Sequence, residues 1–300
     1  MKIKAALFFF LFSFSLFSQV KGVVKDERGN PIPFVSIMVQ NEEGGTSSEE
    51  DGSFSITVDA AKNRIFSEVG LETKIIRAAE AKNVELHKKE IELNEVVISS
   101  AKKQKEKEIG SFGRGGIRYY SQQTTAKYFP YSEEAKNYPF LKEITIYTSS
   151  KIDNAKVNLR LLDVKSDGSP GEDILEENHI VEVKKGGKNT TVNMEKNNIE
   201  IPNTGFFVVI EHLRINENKF KKKGPQYKDI TGNKKRMDVE TYEPFFGFLP
   251  SEENTCWYFN GKWTQNGLHK MQNPKSYSNL LMRKYHDKYL EIAMSITLTN

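Results

Sequence analysis

The side chains in this sequence that are best suited to binding a ligand are aromatic, and they concentrate between residues 242 and 263. Both tryptophans of the chain fall in this stretch. Aromatic faces can stack on sugar rings, and the same alternation of aromatic residues also fills the core of a β-sandwich. Core packing is the simpler interpretation, and a ligand site is the alternative. The candidate ligand-binding residues are Tyr242, Phe246, Trp257, Tyr258 and Trp263.

Carboxylates crowd a second short segment, which reads DVKSDGSPGED from residue 163 to residue 173. Hard oxygen ligands of this kind suit Ca²⁺. The spacing of Asp163, Asp167 and Asp173 matches no EF-hand loop, and a solvated acidic turn is the simpler interpretation. Calcium is therefore kept as an alternative, and the sequence predicts no other cofactor.

Residues that could act in catalysis are few and scattered. His87 and Glu90 form an H-x-x-E pair, but a catalytic zinc needs a third ligand, and the sequence contains no H-E-x-x-H motif. A G-x-S-x-G nucleophile elbow is also missing from the sequence, and Cys256 beside Trp257 suits a small core residue. The sequence thus predicts no catalytic residue, with an unrecognised hydrolase, such as a zinc peptidase, as an alternative.

The first residues of the chain have the pattern of a secretory signal. Lys2 and Lys4 precede the apolar run Ala5–Phe17, which is too short to span a bilayer. We predict a signal peptide at residues 1–18 with cleavage before Gln19. No later segment reaches the roughly 18 apolar residues of a membrane span, so none is expected in the mature chain. The formal net charge of +4 falls to +2 without the two lysines, which gives no indication of nucleic acid binding.

The elements that must position these side chains are short strands. Residues 19–98 consist of alternating apolar runs separated by turn residues such as DERGN at 26–30 and Asp51-Gly52. Frequent turn signals between short runs are typical of a β-sandwich and not of a βαβ fold. The residues expected in its core include Phe34, Val35, Ile37, Phe54 and Ile56.

This first segment resembles the carboxypeptidase-regulatory-like domain. The resemblance is carried by VKGVVKDERGNPIPFVSIMV, GGTSSEEDGSFSITV and VELHKKEIELNEVVI. It implies a seven-stranded transthyretin-like Greek-key sandwich, a module that accompanies enzymes without doing chemistry and is abundant in envelope proteins of Bacteroidetes. Glu68 departs from the family, which usually has an aromatic or small residue there, and we expect its side chain to face solvent.

A linker and a second sandwich are predicted after the first domain. Residues 99–116 are charged and glycine-rich, which predicts a solvated linker between domains that move independently. The β pattern resumes over residues 117–300, with FFVVIEH at 206–212 apolar enough for a central strand buried on both faces. About eight strands predict a jelly-roll-like β-sandwich. This segment also resembles a jelly-roll-like C-terminal region of Bacteroidetes proteins of unassigned function.

Two basic runs, Lys221–Lys223 and Lys234–Arg236, flank a polar loop. A solvated loop is the simpler interpretation, and attraction to anionic lipid or polysaccharide is the alternative. The whole sequence is therefore predicted to be an all-β, exported, non-enzymatic binding or interaction protein of the cell envelope, in the periplasm, on the outer membrane or outside the cell. Its expected partner is an envelope protein or a glycan, and carbohydrate binding through the aromatic residues of the second domain is the leading alternative.

Overall fold

The fold is taken from a computed structural model of the chain. It describes residues 17–42, 44–59, 61–89, 105–111, 117–119, 124–228, 230–271, 275 and 282–300. Within these residues the chain is almost entirely β-structure, with one short α-helix, α1 (Glu133–Asn137). The all-β prediction is confirmed. No helix in this part of the chain has the length and apolar character needed to cross a membrane.

The first sandwich contains seven strands in two sheets. Its strands are β1 (Phe17–Lys25), β2 (Ser36–Val39), β3 (Gly45–Ser47), β4 (Ser53–Asp59), β5 (Asn63–Ser67), β6 (Lys74–Arg77) and β7 (Asn83–Glu85). One sheet has the order β4-β1-β7 and the other the order β3-β2-β5-β6. Strand β4 buries every second residue, as its sequence pattern predicts. The core between the sheets contains Val24, Val35, Ile37, Val39, Phe54, Ile56, Val58 and Phe66.

The second sandwich also has two sheets. Its strands are β8 (Glu106–Ser111), β9 (Ile117–Tyr119), β10 (Thr124–Phe129), β11 (Phe140–Ser150), β12 (Ala155–Val164), β13 (Pro170–Asp173), β14 (His179–Val183), β15 (Gly186–Asn193), β16 (Phe206–His212), β17 (Lys219–Lys228), β18 (Lys234–Tyr242), β19 (Phe245–Ser251), β20 (Cys256–Phe259), β21 (Trp263–Gln265), β22 (Tyr289–Ile292) and β23 (Met294–Thr299). The first sheet has the order β13-β12-β16-β10-β20-β21, with β14 also beside β12. The second has the order β22-β19-β11-β23-β8, with β15 beside β11 and β9 beside β19. Strands β17 and β18 form a separate hairpin, and the jelly-roll assignment stays a prediction.

Part of the predicted linker is a strand. Residues 106–111 form β8, which pairs antiparallel with β23 at the edge of the second sheet. The charged side chains that suggested a solvated linker fit an edge strand, because edge strands are protected from further pairing by exposed charges. Ile109 packs against the core of the second sandwich. The rest of the predicted linker, and residues 1–16 of the predicted signal peptide, lie outside the described residues.

Apolar side chains join the two sandwiches directly. Phe34 does not fill the first core as the sequence suggests; it is buried in a small cluster with Leu213 and Ile215 of the second sandwich. Its φ of 63° is in the left-handed region, which a bulky side chain rarely adopts unless the surrounding structure holds it there. Val69, from the segment after β5, belongs to the core of the second sandwich.

Polar contacts reinforce this interface. The backbone N–H of Arg214 donates to Ser47 Oγ at 3.2 Å, and the backbone N–H of Asn216 donates to the Glu49 carboxylate at 3.1 Å. These contacts hold the sandwiches against each other, whereas the linker composition suggested independent movement. The two sandwiches are therefore packed against each other through a defined interface.

Candidate functional site

A cleft of about 650 Å³ lies between the two sandwiches. One wall is the segment of the first sandwich from Ile65 to Thr73, and the other consists of residues from β10, β12, β13, β16, β20 and β21 of the second sandwich. Clefts at domain interfaces are common ligand sites, and several polar side chains converge on this one.

The floor of the cleft is built from strand β16 and its neighbours. All seven residues of β16 are buried, which confirms the prediction of a strand covered on both faces. Val208 and Ile210 point into the core of the second sandwich, so the alternation of a strand turns Glu211 to the opposite face, towards the first sandwich. Asn158 of β12 is paired with Glu211 in the same register.

A row of side chains crosses this face of the sheet. Thr125 pairs with Ile210, which places Thr124 beside Glu211. Thr124 pairs with Phe259, and Phe259 pairs with Trp263. The row thus changes from a carboxylate to a hydroxyl and then to two aromatic rings whose centroids are 5.2 Å apart. All four of these side chains line the cleft: Glu211, Thr124, Phe259 and Trp263.

Arg160 of β12 organises the acidic end of the cleft. Its Nε and Nη2 donate to the two carboxylate oxygens of Asp173 at 2.9 and 2.8 Å, and its Nη1 donates to Glu211 at 3.5 Å. Asn158 Nδ2 donates to the second oxygen of Glu211 at 3.0 Å. Burial alone would lower the pKa of Arg160, but the carboxylates of Glu211 and Asp173 raise it above its ordinary value. The guanidinium is therefore a fixed positive charge.

Glu68 is the unusual member of the cleft. Only 5% of its surface is exposed, and neither carboxylate oxygen has a side-chain hydrogen-bond partner among the described residues. The backbone N–H of the adjacent Val69 is close enough to lower the pKa of this group. Burial, followed by the nearby charge of Glu211, raises the pKa of Glu68 well above its ordinary value, and Arg160 only partly opposes the shift. The expectation that Glu68 faces solvent was wrong, because its neighbour Val69 is anchored in the core of the second sandwich.

The charges of the cleft are unbalanced. The described lining residues include five acidic side chains and two basic ones. Lys89 is paired with Glu172 at the rim, and Arg160 is paired as described above. The surplus of carboxylates favours a ligand that donates hydrogen bonds and carries positive charge, and the aromatic end favours a ligand with a flat or apolar face.

The structure separates the five predicted aromatic candidates. Trp263 lines the cleft. Trp257 lies on the next strand, with its ring centroid 6.3 Å from that of Phe207; it packs against the same apolar cluster as Trp263 but is not among the lining residues. Phe246 is buried in the core of the second sandwich. The remaining two lie elsewhere, since the hydroxyl of Tyr258 accepts a hydrogen bond from Asn266 Nδ2 and the ring of Tyr242 contacts the Lys219 ammonium.

The three aspartates considered for calcium have different partners. Asp163 accepts the backbone N–H of Glu172 at 2.7 Å, and Asp167 accepts the backbone N–H of Ser169 at 2.9 Å. Asp173 is the bidentate partner of Arg160. Within the described residues, no three side chains of His, Cys, Asp or Glu lie close enough together to hold a metal ion.

The residues considered for catalysis are also placed apart. The ring Nδ1 of His87 lies 2.9 Å from the Glu27 carboxylate at the surface, and Glu90 lies outside the described residues. Cys256 is buried, and its Sγ accepts the backbone N–H of Ile292 at 3.4 Å. Burial raises the pKa of the Cys256 thiol to about 11, so the thiol is protonated at neutral pH.

Arg160 and Glu211 are central to the cleft, and neither was predicted from the sequence. A signal for both was present, since each is a charged residue inside a strand that is otherwise largely apolar. A charge in such a strand needs a polar partner once it is buried. The family departure at Glu68 was the third signal, and it was assigned to the wrong environment.

Comparison with known proteins identifies the first sandwich. Residues 20–98 match the CarboxypepD_reg-like domain, which confirms the resemblance seen in the sequence. No curated protein matches the chain. A clostridial cysteine protease, Cwp84 after propeptide cleavage, shows 13% identity and a TM-score of 0.37, with 95% of this chain and 70% of the protease covered.

Two further solved structures are similarly distant. The cysteine protease and lectin-like domains of Cwp84 from Clostridium difficile show 12% identity and a TM-score of 0.31, over 89% of this chain and 59% of the other. The major pilin subunit BcpA of Bacillus cereus shows 10% identity and a TM-score of 0.19, over 94% of this chain and 84% of the pilin.

Proposed function

We propose that this chain is an exported, non-enzymatic binding protein of the cell envelope, and that its ligand enters the cleft between the two sandwiches. The CarboxypepD_reg-like domain supports a binding or interaction role. The predicted signal peptide at residues 1–18 supports export to the periplasm or the outer surface. In this proposal the first sandwich supplies one wall of the site and the aromatic end lies on the second.

The buried carboxyl group of Glu68 is the observation that carries the proposal. A buried polar group normally has a hydrogen-bond partner, and leaving it without one destabilises the folded protein. Glu68 lacks a side-chain partner among the described residues and borders a space large enough for a small molecule. A ligand donor in the cleft would satisfy this carboxyl group.

The favoured ligand carries a protonated amine. An ammonium group offers up to three donors, and it would complement both Glu68 and the surplus of acidic side chains in the lining. Trp263 and Phe259 would contact an apolar or ring-shaped part of the same molecule, with a cation–π contribution where the ammonium lies over a ring.

A thermal-shift comparison on the chain from Gln19 tests this function. Glucosamine, glucose and lysine are added at equal concentrations, because a molecule that binds only the native state raises the melting temperature. We expect amines to raise the melting temperature of the parent protein and to have no effect on Glu68→Gln, which keeps the shape of the side chain. Equal shifts in the parent and in Glu68→Gln would contradict the proposal, as would a flat response of both.

Carbohydrate binding without an amine is the second candidate function, and it rests on the paired rings of Phe259 and Trp263 in the lining. Under this candidate, glucose and glucosamine shift the melting temperature equally, and Trp263→Ala abolishes both shifts. Trp257→Ala is the matched control, because it removes the same side chain from the neighbouring strand, outside the described lining. Loss of binding in Trp257→Ala alone would place the ligand outside the cleft.

A further inference from the structure

The hairpin of β17 and β18, residues 219–242, is named here the basic arm. Among the described residues its two strands form a sheet only with each other. Beyond Gly224 the side chains of both strands are exposed up to Asp238 in the returning strand. A two-stranded hairpin with both faces in water buries little apolar surface, so its sequence is under little constraint from packing.

The arm concentrates the positive charge of the protein. Residues 219–242 contain eight lysine or arginine residues and three acidic residues, a net charge of +5, whereas the whole chain has a net charge of +4. The rest of the chain therefore has a net charge of −1. Near the base of the arm, Glu240 pairs with Lys219 and Lys221. The remaining basic residues extend along the arm and flank its tip: Lys222, Lys223, Lys228, Lys234, Lys235 and Arg236.

The same arm exposes apolar side chains around its tip. Ile230 is fully exposed at the turn, and Met237 and Tyr227 are 66% and 49% exposed on the two strands. Five large hydrophobic side chains are markedly exposed in the described part of the chain, and three of them are these. A cluster of exposed apolar residues that is flanked by cations indicates a surface that meets both anionic and apolar groups.

We propose that the basic arm binds an anionic lipid surface. The lysine and arginine side chains would contact the headgroups, while Ile230, with Tyr227 and Met237, enters the boundary between headgroups and acyl chains. An anionic polysaccharide would engage the charges and leave the apolar tip without a partner. The combination of charge and apolar tip therefore favours a bilayer.

Vesicle co-sedimentation of the chain from Gln19 tests this proposal. Vesicles of phosphatidylcholine with phosphatidylglycerol are compared with vesicles of phosphatidylcholine alone, at low and high salt. We expect binding only to the anionic vesicles and weaker binding at high salt. Lys234→Glu with Lys235→Glu should lower the affinity by at least about tenfold, because each lysine near such a surface contributes a factor of roughly five.

Matched variants separate the arm from general charge and hydrophobicity. Lys184→Glu with Lys185→Glu makes the same charge change at another exposed turn and should keep more of the binding. Ile230→Asp should weaken binding, whereas Ile75→Asp changes an exposed isoleucine of the first sandwich and should not. Circular dichroism checks that each variant is folded.

Three outcomes would overturn the proposal. They are equal binding to neutral and anionic vesicles, equal losses in the arm variants and their controls, and Ile230→Asp binding as well as the parent. The last outcome, together with displacement by soluble dextran sulfate at low concentration, would indicate a polyanion that is recognised by charge alone.

Discussion

Two buried clusters of charge in the described part of the chain differ in whether their groups are satisfied. In the core of the second sandwich, Lys127 pairs with Glu291, and its ammonium also donates to the carbonyl oxygen of Met294 at 2.8 Å. In the cleft between the sandwiches, Arg160 is fully engaged, while the Glu68 carboxyl group has no side-chain hydrogen-bond partner among the described residues.

The difference indicates two roles for buried charge in one chain. A cluster whose groups all have partners specifies how strands pack and needs nothing further. A cluster with an open carboxyl group beside a cleft is destabilising in the free protein, and it gains most when a ligand supplies the missing donor. Stability measurements on three sets of variants test this contrast, starting with the largest effect.

The largest loss of stability is expected from breaking the buried ion pair between Lys127 and Glu291. Glu291→Ala would leave the Lys127 ammonium buried without its counter-charge, and loss of one partner of a buried pair costs about 3–5 kcal/mol. Urea denaturation followed by tryptophan fluorescence measures this cost, because both tryptophans lie in the second sandwich.

The control for this prediction replaces both charges. Lys127→Met combined with Glu291→Leu removes the unpaired charge as well, so the double variant should recover most of the lost stability. If Glu291→Ala alone cost less than about 1 kcal/mol, the pair would resemble an exposed one, and the contrast with the cleft would fail.

A smaller loss of stability is expected from a substitution where the two sandwiches are in contact. Gly70 has a φ of 73°, and a Cβ atom there would lie 2.4 Å from the backbone oxygen of Glu176. Gly70→Ala should therefore lower the free energy of unfolding by about 1–3 kcal/mol, through backbone strain together with the contact across the interface.

Gly29→Ala is the matched control for that variant. Gly29 has a φ of 84°, but a Cβ atom added there would meet no atom of the described residues within 4 Å, so only the backbone strain applies. The difference between the two variants isolates the contribution of the interface, and it is measured in the same urea titrations. If the two variants lost the same free energy of unfolding, the added Cβ atom at Gly70 would be accommodated at no extra cost. The two sandwiches would then be loosely packed at this contact.

The sequence predicted the parts of the fold that depend on local pattern. The alternation in β4, the central position of β16 and the family of residues 20–98 are confirmed. The cleft could not be predicted in the same way, because Glu68 and Arg160 are brought together by strand pairing and by packing of the two sandwiches. Whether the Glu68 side chain is buried or exposed depends on its neighbour Val69. Val69 packs into a core whose other members, such as Leu175, are distant in sequence.

The smallest effect is expected from the pH dependence of Glu68. Its pKa in the folded protein is raised above the ordinary value of 4.5, so between these two values the folded state holds a proton that the unfolded state has lost. The free energy of unfolding therefore falls as the pH rises from about 4.5, by at most about 1.4 kcal/mol per pH unit. Glu68→Gln should remove this contribution, so the parent should lose stability relative to the variant as the pH rises above about 4.5. Glu172→Gln is the control of opposite sign, because the hydrogen bond from Lys89 lowers the pKa of Glu172 and its contribution is lost as the pH falls. If the difference in unfolding free energy between the parent and Glu68→Gln did not change with pH, the Glu68 carboxyl group would have its partners in solution. The cleft would then resemble the Lys127–Glu291 pair, in which both charges are satisfied.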